Sequence, residues 1–191
     1  YGLVGSEMCI RDSTKIEAGR MTLTMELVDV APLLEDSKVN NLGLLHKRKT
    51  PVEIVIDADE DLPFITADRV RIGQVLNNLV SNAVKFTDEG FIYLRAYQAD
   101  EERICIEVED TGMGIAKEDQ GKLFERFRQV DGSSTRKAEG TGLGLAITRH
   151  LIHMHKGELL LESEVGKGSK FIIYLPVEQP ESDSGTAAGK A

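Results

Sequence analysis

Asn78 and Asn82 stand four residues apart, a spacing that places both amides on one face of a helix. Each offers a neutral oxygen, which suits a Mg²⁺ ion that keeps several waters and bridges substrate phosphates. Lys85, nearly one turn further on, can set a positive charge against those phosphates. A second group, Asp110-Thr111-Gly112-Met113-Gly114-Ile115, falls at the end of a predicted strand. A carboxylate there can accept a hydrogen bond from the exocyclic amine of adenine, while glycines let the backbone approach the ring. The third group is Gly140-Thr141-Gly142-Leu143-Gly144-Leu145, opening a predicted helix. Its glycines free backbone N–H groups to point at phosphate oxygens, helped by the helix dipole. Between the last two lie Phe124, Phe127 and the polar run from Gln129 to Lys137, the composition of a mobile lid, with Arg136 a candidate phosphate contact. Each group alone also has a plainer reading: solvated polar side chains on a helix face, a turn after a strand, a loop running into a helix.

These groups need a scaffold, and the hydrophobic pattern supplies one. Met21 to Val28 alternates apolar and polar residues, as a half-buried strand does. Asp29 can cap a helix that runs to about Lys49, with Pro32 tolerated in its first turn. Val52, Ile54 and Ile56 predict a second strand, and Asp68 can cap the most apolar helix, Arg69 to Phe86. Two strands follow as a hairpin, Phe91 to Gln98 and Arg103 to Glu109. A short helix is expected around Asp119 to Phe127, and another from Leu143 to His155, ended by Gly157. Glu158 to Glu164 and Ser169 to Leu175 make a last strand pair. The order predicts an α+β fold, a two-layer sandwich whose single mixed, mostly antiparallel sheet is covered by helices on one face.

Composition narrows the class. The chain has 191 residues, 41% hydrophobic and 29% charged, as soluble globular domains do. A net charge of −9 argues against broad nucleic-acid binding, which shows as a basic surplus. No run reaches the ~18 apolar residues of a membrane span. Cys9 and Cys105 lack metal-ligand or CxxC spacing, and Cys105, within Ile104-Cys105-Ile106, reads as a core residue of a reducing compartment. Residues 1–13 have no clear period, resemble a translated sequencing-adapter remnant and are set aside as non-native. From residue 178 the apolar content collapses into a flexible tail.

Taken in order, the three groups closely resemble the histidine-kinase branch of the superfamily that includes gyrase, heat-shock chaperone and mismatch-repair ATPases. Asn78 to Thr87 resembles its N box, Asp110 to Ile115 its G1 box, Leu123 to Phe127 its F box and Gly140 to Leu145 its G2 box. Gly166 to Phe171 is similar to the glycine-containing start of its final strand. The resemblance covers about Thr14 to Val177 and implies a Bergerat-type fold over residues 21–177 that binds ATP and Mg²⁺. It implies that Asn82, assisted by Asn78, holds Mg²⁺, and that Lys85 faces the phosphates. Asp110 would read adenine with Phe86 packing by the base, and the amides near Gly142 and Gly144 would hold phosphates. Gly112, Gly114, Ile115, Gly140, Thr141, Leu143, Leu145 and Ser169 would also bind the nucleotide. Phe127 and Arg136 would belong to the lid. Ala138-Glu139 depart from the aromatic and glycine that the family often has before its G2 box.

The resemblance also separates kinase from ATPase. Hydrolysing members carry a glutamate where this chain has Asn78, and a carboxylate can activate water as a general base where an amide cannot. That favours phosphoryl transfer to a side chain, on a helix hairpin of which residues 14–20 resemble the last turn. None of His46, His150, His153 and His155 has an acceptor-like context, so the acceptor histidine is expected outside the chain. The three near 150–155 read as protonatable groups beside a helix C-terminus rather than a metal site. The implied partners are the dimerisation hairpin of a homodimeric parent and a response-regulator receiver domain. The implied location is the cytoplasm, with the parent protein open to membrane anchoring from upstream. Two rival readings are a serine-kinase regulator of the same fold and a non-catalytic docking module.

Overall fold

The longest helix has the most regular apolar stripe. Ile72, Val75, Leu76, Leu79, Val80, Ala83 and Val84 recur at helical spacing and are all buried. At about 1.5–3 kcal/mol for each large aliphatic side chain removed from water, this stripe fixes the helix on whatever apolar face the rest of the chain provides. Asp68 caps it, its Oδ1 accepting the Arg71 N–H at 3.0 Å.

The chain is described here by a computed structural model covering residues 20–45, 51–124 and 142–178. In order the elements are β1 (Glu26–Val28), α1 (Ala31–Leu45), β2 (Val52–Ala58), β3 (Ile65–Ala67), α2 (Arg69–Phe86), β4 (Gly90–Gln98) and β5 (Arg103–Asp110). They continue with α3 (Lys117–Gln120), α4 (Gly144–Met154), β6 (Glu158–Glu164) and β7 (Gly168–Pro176). Five strands form the main sheet in the order β2-β4-β5-β7-β6. Only the β2–β4 pair is parallel; the other neighbours are antiparallel.

Strand periodicity decides which face meets the helices. Ile104, Ile106 and Val108 of β5 enter the same core as the α2 stripe and Leu151 and Ile152 of α4. Asp110 follows with the same parity, so the strand delivers its carboxylate on the helix-covered side. Cys105, Glu107 and Glu109 point the other way. There Arg95 pairs with Glu109 and Glu107, and Lys170 stands 3.7 Å from both carboxylates. Cys105 is free and buried, and that burial pushes its thiol above the ordinary range.

Five details differ from the sequence reading. The sheet is not single, because β1 and β3 form a separate antiparallel pair. β1 is only three residues long, since Met21 to Met25 have no strand partner and Thr24 instead donates its N–H to Asp68 Oδ2 at 2.9 Å. β3 went unpredicted because three residues after Pro63 are too few to show a period. The left-handed residue after α4 is Lys156 rather than Gly157. The cap position of α1 is Val30, whose carbonyl accepts the Leu34 N–H at 3.2 Å. Asp29 instead accepts the Ala31 N–H through Oδ1 at 3.2 Å, from one residue further out. The predicted continuations of α1 through residues 46–49 and of α3 through 125–127 lie outside the described residues.

α2 and α4 run antiparallel and are joined near both ends of α4. At one end His155, after the last turn of α4, accepts the Asp68 N–H through Nε2 at 3.0 Å, while Nδ1 lies 2.7 Å from the Leu151 carbonyl. Those partners require the neutral tautomer with the proton on Nδ1. Burial lowers the His155 pKa, opposed by the Leu151 carbonyl and Asp68. The expectation of protonatable histidines near this helix end therefore fails for His155, which is fully buried and neutral. Among the described residues no His, Cys, Asp and Glu group is arranged to hold a metal ion.

Candidate functional site

At the other end of α4, its first turns meet the middle of α2 through Asn78. Its Nδ2 donates to the buried Thr148 Oγ1 at 2.9 Å. A Cβ at Gly144, in the first turn of α4, would overlap Asn78 Oδ1 and stand 3.0 Å from its Cγ. The first and third predicted groups thus lie against each other, and glycine is what lets the backbone come so close. Asn82 and Phe86 continue the same ridge of α2; Asn82 is half-buried and Phe86 exposed. The Lys85 Nζ stands 5.2 Å from the centre of the Phe86 ring.

The second group curls over the end of α2. The Met113 N–H donates to the Phe86 carbonyl at 3.3 Å, tying the loop after β5 to the last turn of the helix. Asp110 is buried, and its Oδ1 accepts the Gly112 N–H at 2.8 Å. Burial pushes the Asp110 carboxyl above the usual aspartate range, against the N–H bonds from Gly112 and Ser169 that favour its charge. Gly114 has φ +68°, and a Cβ there would also strike the Glu164 carbonyl. Ser169 lies directly across β7 from Asp110.

Of the predicted residues, Asn78, Asn82, Lys85, Phe86, Asp110, Gly112, Gly114, Ile115 and Ser169 gather around one end of the α2–α4 layer. Gly142, Leu143, Gly144 and Leu145 border the same end. The Leu143 side chain is fully buried in the core, which leaves only its main chain for a ligand. Phe127, Arg136, Gly140, Thr141 and the Ala138-Glu139 departure lie outside the described residues. Phe124 is described; the Arg149 guanidinium stands 5.5 Å from its ring centre. Sequence reasoning missed Thr148, although its position four residues after Gly144 places it on the same helical face. It also missed Ser163 and Gln120, which carry no motif and are found only through the bonds they make.

The family model described as histidine kinase-, DNA gyrase B-, and HSP90-like ATPase matches residues 67–179, more than half the chain and the span from Ala67 through the whole cluster. The chain belongs to this family. Within it, the circadian input-output histidine kinase CikA of Synechococcus elongatus is 38% identical over 172 residues, 87% of this chain and 22% of CikA. The sensor histidine kinase YclK of Bacillus subtilis is 41% identical over 167 residues, 87% of this chain and 34% of YclK. This histidine kinase-type ATPase domain therefore spans well under half the length of these curated relatives. Full-length ShkA in complex with AMPPNP superposes with TM-score 0.76 at 30% identity, over 92% of this chain and 36% of ShkA. The catalytic domain of the histidine kinase ThkA, in a nucleotide-free form, gives TM-score 0.69 at 27% identity, over 82% of this chain and 99% of that one. The domain thus belongs to an ATPase family and has the Bergerat fold of the histidine-kinase catalytic domains it resembles. Among its described residues no helix is long and apolar enough to cross a membrane.

Proposed function

We propose that the domain binds Mg-ATP and delivers its γ-phosphoryl group to a histidine on the parent's dimerisation hairpin, for relay to a response-regulator aspartate. The observation that carries this is Asn78, an amide set between Thr148 and Gly144 where α2 meets α4. An amide cannot take a proton from water, so the site offers no general base at this position and transfer to an outside nucleophile is favoured over hydrolysis.

The residues fit both groups. Asp110 is a buried acceptor at the end of β5, suited to a base amine, with Gly112, Gly114, Ile115 and Ser169 beside it. The ridge of Asn78 and Asn82 presents hard neutral oxygens of the kind Mg²⁺ takes with phosphates. Lys85 adds a cation to that edge, Phe86 offers an exposed ring to the base, and the N–H groups from Gly142 to Leu145 open α4 toward phosphate. Phe127, Arg136, Gly140 and Thr141 belong to the same proposed site. When bound, Mg-ATP supplies the transferable phosphoryl group and the neutralising charge. The chain's own part is to hold the base at Asp110, align the phosphates along α2 and α4, and leave the far side open to the acceptor.

Titration with a non-hydrolysable ATP analogue tests the binding half: affinity should require Mg²⁺ and fall on Asp110→Ala. Binding that ignores both would sink it and favour a docking module. For the transfer half, the chain is mixed with a separately made acceptor hairpin from its full gene. Acid-labile phosphate should form on the hairpin histidine, and phosphate released to water instead would refute transfer.

A further inference from the structure

The loop from Asp110 to Ile115 is held from outside by two residues in none of the three motifs, Ser163 on β6 and Gln120 at the end of α3. The Ser163 Oγ accepts the Ile115 N–H at 2.8 Å. It donates to the Gly168 carbonyl at 2.9 Å and lies 3.0 Å from the Ser169 Oγ. A hydroxyl has one proton and two acceptor positions. With the Ser163 proton on the Gly168 carbonyl, the bond between the serines must run from Ser169 to Ser163. All three capacities of Ser163 are then used, and the Ser169 oxygen is left with lone pairs only. Both amide protons of Gln120 are also committed: Nε2 donates to the Ile115 carbonyl at 3.0 Å and to the Ser163 carbonyl at 2.9 Å. Ile115 is thus gripped at its N–H by Ser163 and at its carbonyl by Gln120. A further tie runs from the Gly166 N–H to the Met113 carbonyl at 2.8 Å. At the other end of the loop, Ser169 stands directly across the strand pair from Asp110.

We propose that Ser163 and Gln120 are positioning residues that set base specificity: they hold the Asp110–Ile115 loop and turn Ser169 into a pure acceptor beside Asp110. A site edge made of a carboxylate and a hydroxyl stripped of its proton accepts an amine donor and has no donor for a 6-oxo group. The ligand class is therefore a 6-aminopurine nucleotide, and the selectivity depends on residues that need not touch it. The proposal rests on the nucleotide site described above.

The 191-residue chain is titrated, at fixed Mg²⁺, with ADP and with the purine-riboside diphosphate lacking the 6-amino group. The unmodified chain should prefer ADP. Ser163→Ala and Gln120→Met should each narrow that preference roughly three- to tenfold, the loss of one or two hydrogen bonds' worth of alignment. Ser163→Thr, which keeps the hydroxyl, should retain it. An unmodified chain without preference overturns the nucleotide-site reading itself. A preference that survives in Ser163→Ala and Gln120→Met overturns only the positioning role, as does an equal weakening of both ligands, the mark of general destabilisation. If Ser163→Ala does not fold, Gln120→Met on its one-turn, half-exposed helix decides the question alone.

Discussion

Asp110 combines burial with a charge, and its raised pKa shows that burial outweighs the two N–H donors that favour ionisation. A carboxylate kept in that position at the expense of its own solvation is more useful to a ligand than to the fold. Asp110→Ala should weaken ATP-analogue binding at least about tenfold, since it removes a charged acceptor from the base. Because its pKa is raised, its charge is lost on acidification sooner than for an ordinary aspartate. Analogue affinity measured by calorimetry from pH 8 downward should begin to fall above the usual aspartate range, and a flat profile would contradict the role. At Gly144 the reason for the residue is space rather than charge. Gly144→Ala would drive a methyl into the Asn78 amide, so α4 must move from α2 at a cost of about 1–3 kcal/mol. Both the denaturation midpoint and Mg-dependent affinity should drop.

At the scale of elements, the site depends on how α2 and α4 are registered. Asn78 with Thr148 and Gly144 fixes one end of the pair, and Asp68 with His155 fixes the other. Asp68 also takes the Thr24 N–H, so the incoming chain, the start of α2 and the end of α4 share one buried junction. The His155 pKa is depressed below its ordinary value of about 6.5, so the unfolded chain binds this proton more readily than the folded one. The stability it confers is present above about pH 6.5 and is lost as the pH falls through the folded-state value. Urea denaturation at pH 7.5 and 5.5 should show that loss. His155→Ala should lower stability at pH 7.5 by about 2–4 kcal/mol, through a cavity and an unpaired Asp68 N–H, and flatten the pH dependence. Equal pH dependence in both proteins would disprove the assignment.

For the whole molecule, ligand binding and folding are linked. The proposed base and phosphate contacts come from β5, α2, α4 and β7, elements far apart in sequence, so the folded chain binds and the unfolded chain does not. At a Mg-analogue concentration one hundred times its dissociation constant, stability should rise by about 2.7 kcal/mol, read as a higher thermal midpoint. The Asp110→Ala chain, at least about tenfold weaker, should rise by no more than about 1.4 kcal/mol at the same concentration. Equal stabilisation of both would mean that the nucleotide binds elsewhere.

How much was legible beforehand follows from which interactions are local. The α2 stripe, its Asp68 cap and the β4–β5 hairpin were readable because period and capping are written in neighbouring residues. The family was readable for the same reason, since three short motifs in order identify it. The β1–β3 pair was not, because a three-residue strand has no period and exists only through its partner. Nor could sequence predict that His155 is neutral: its charge state was decided by burial against Asp68, 87 positions away. The sequence alone pointed to an ATP-binding family and to the residues proposed to face the nucleotide. Only the tertiary structure decided what holds them there, namely Thr148 on Asn78 and Ser163 with Gln120 on the base loop. Those are polar groups whose partners become neighbours after the chain has closed its core.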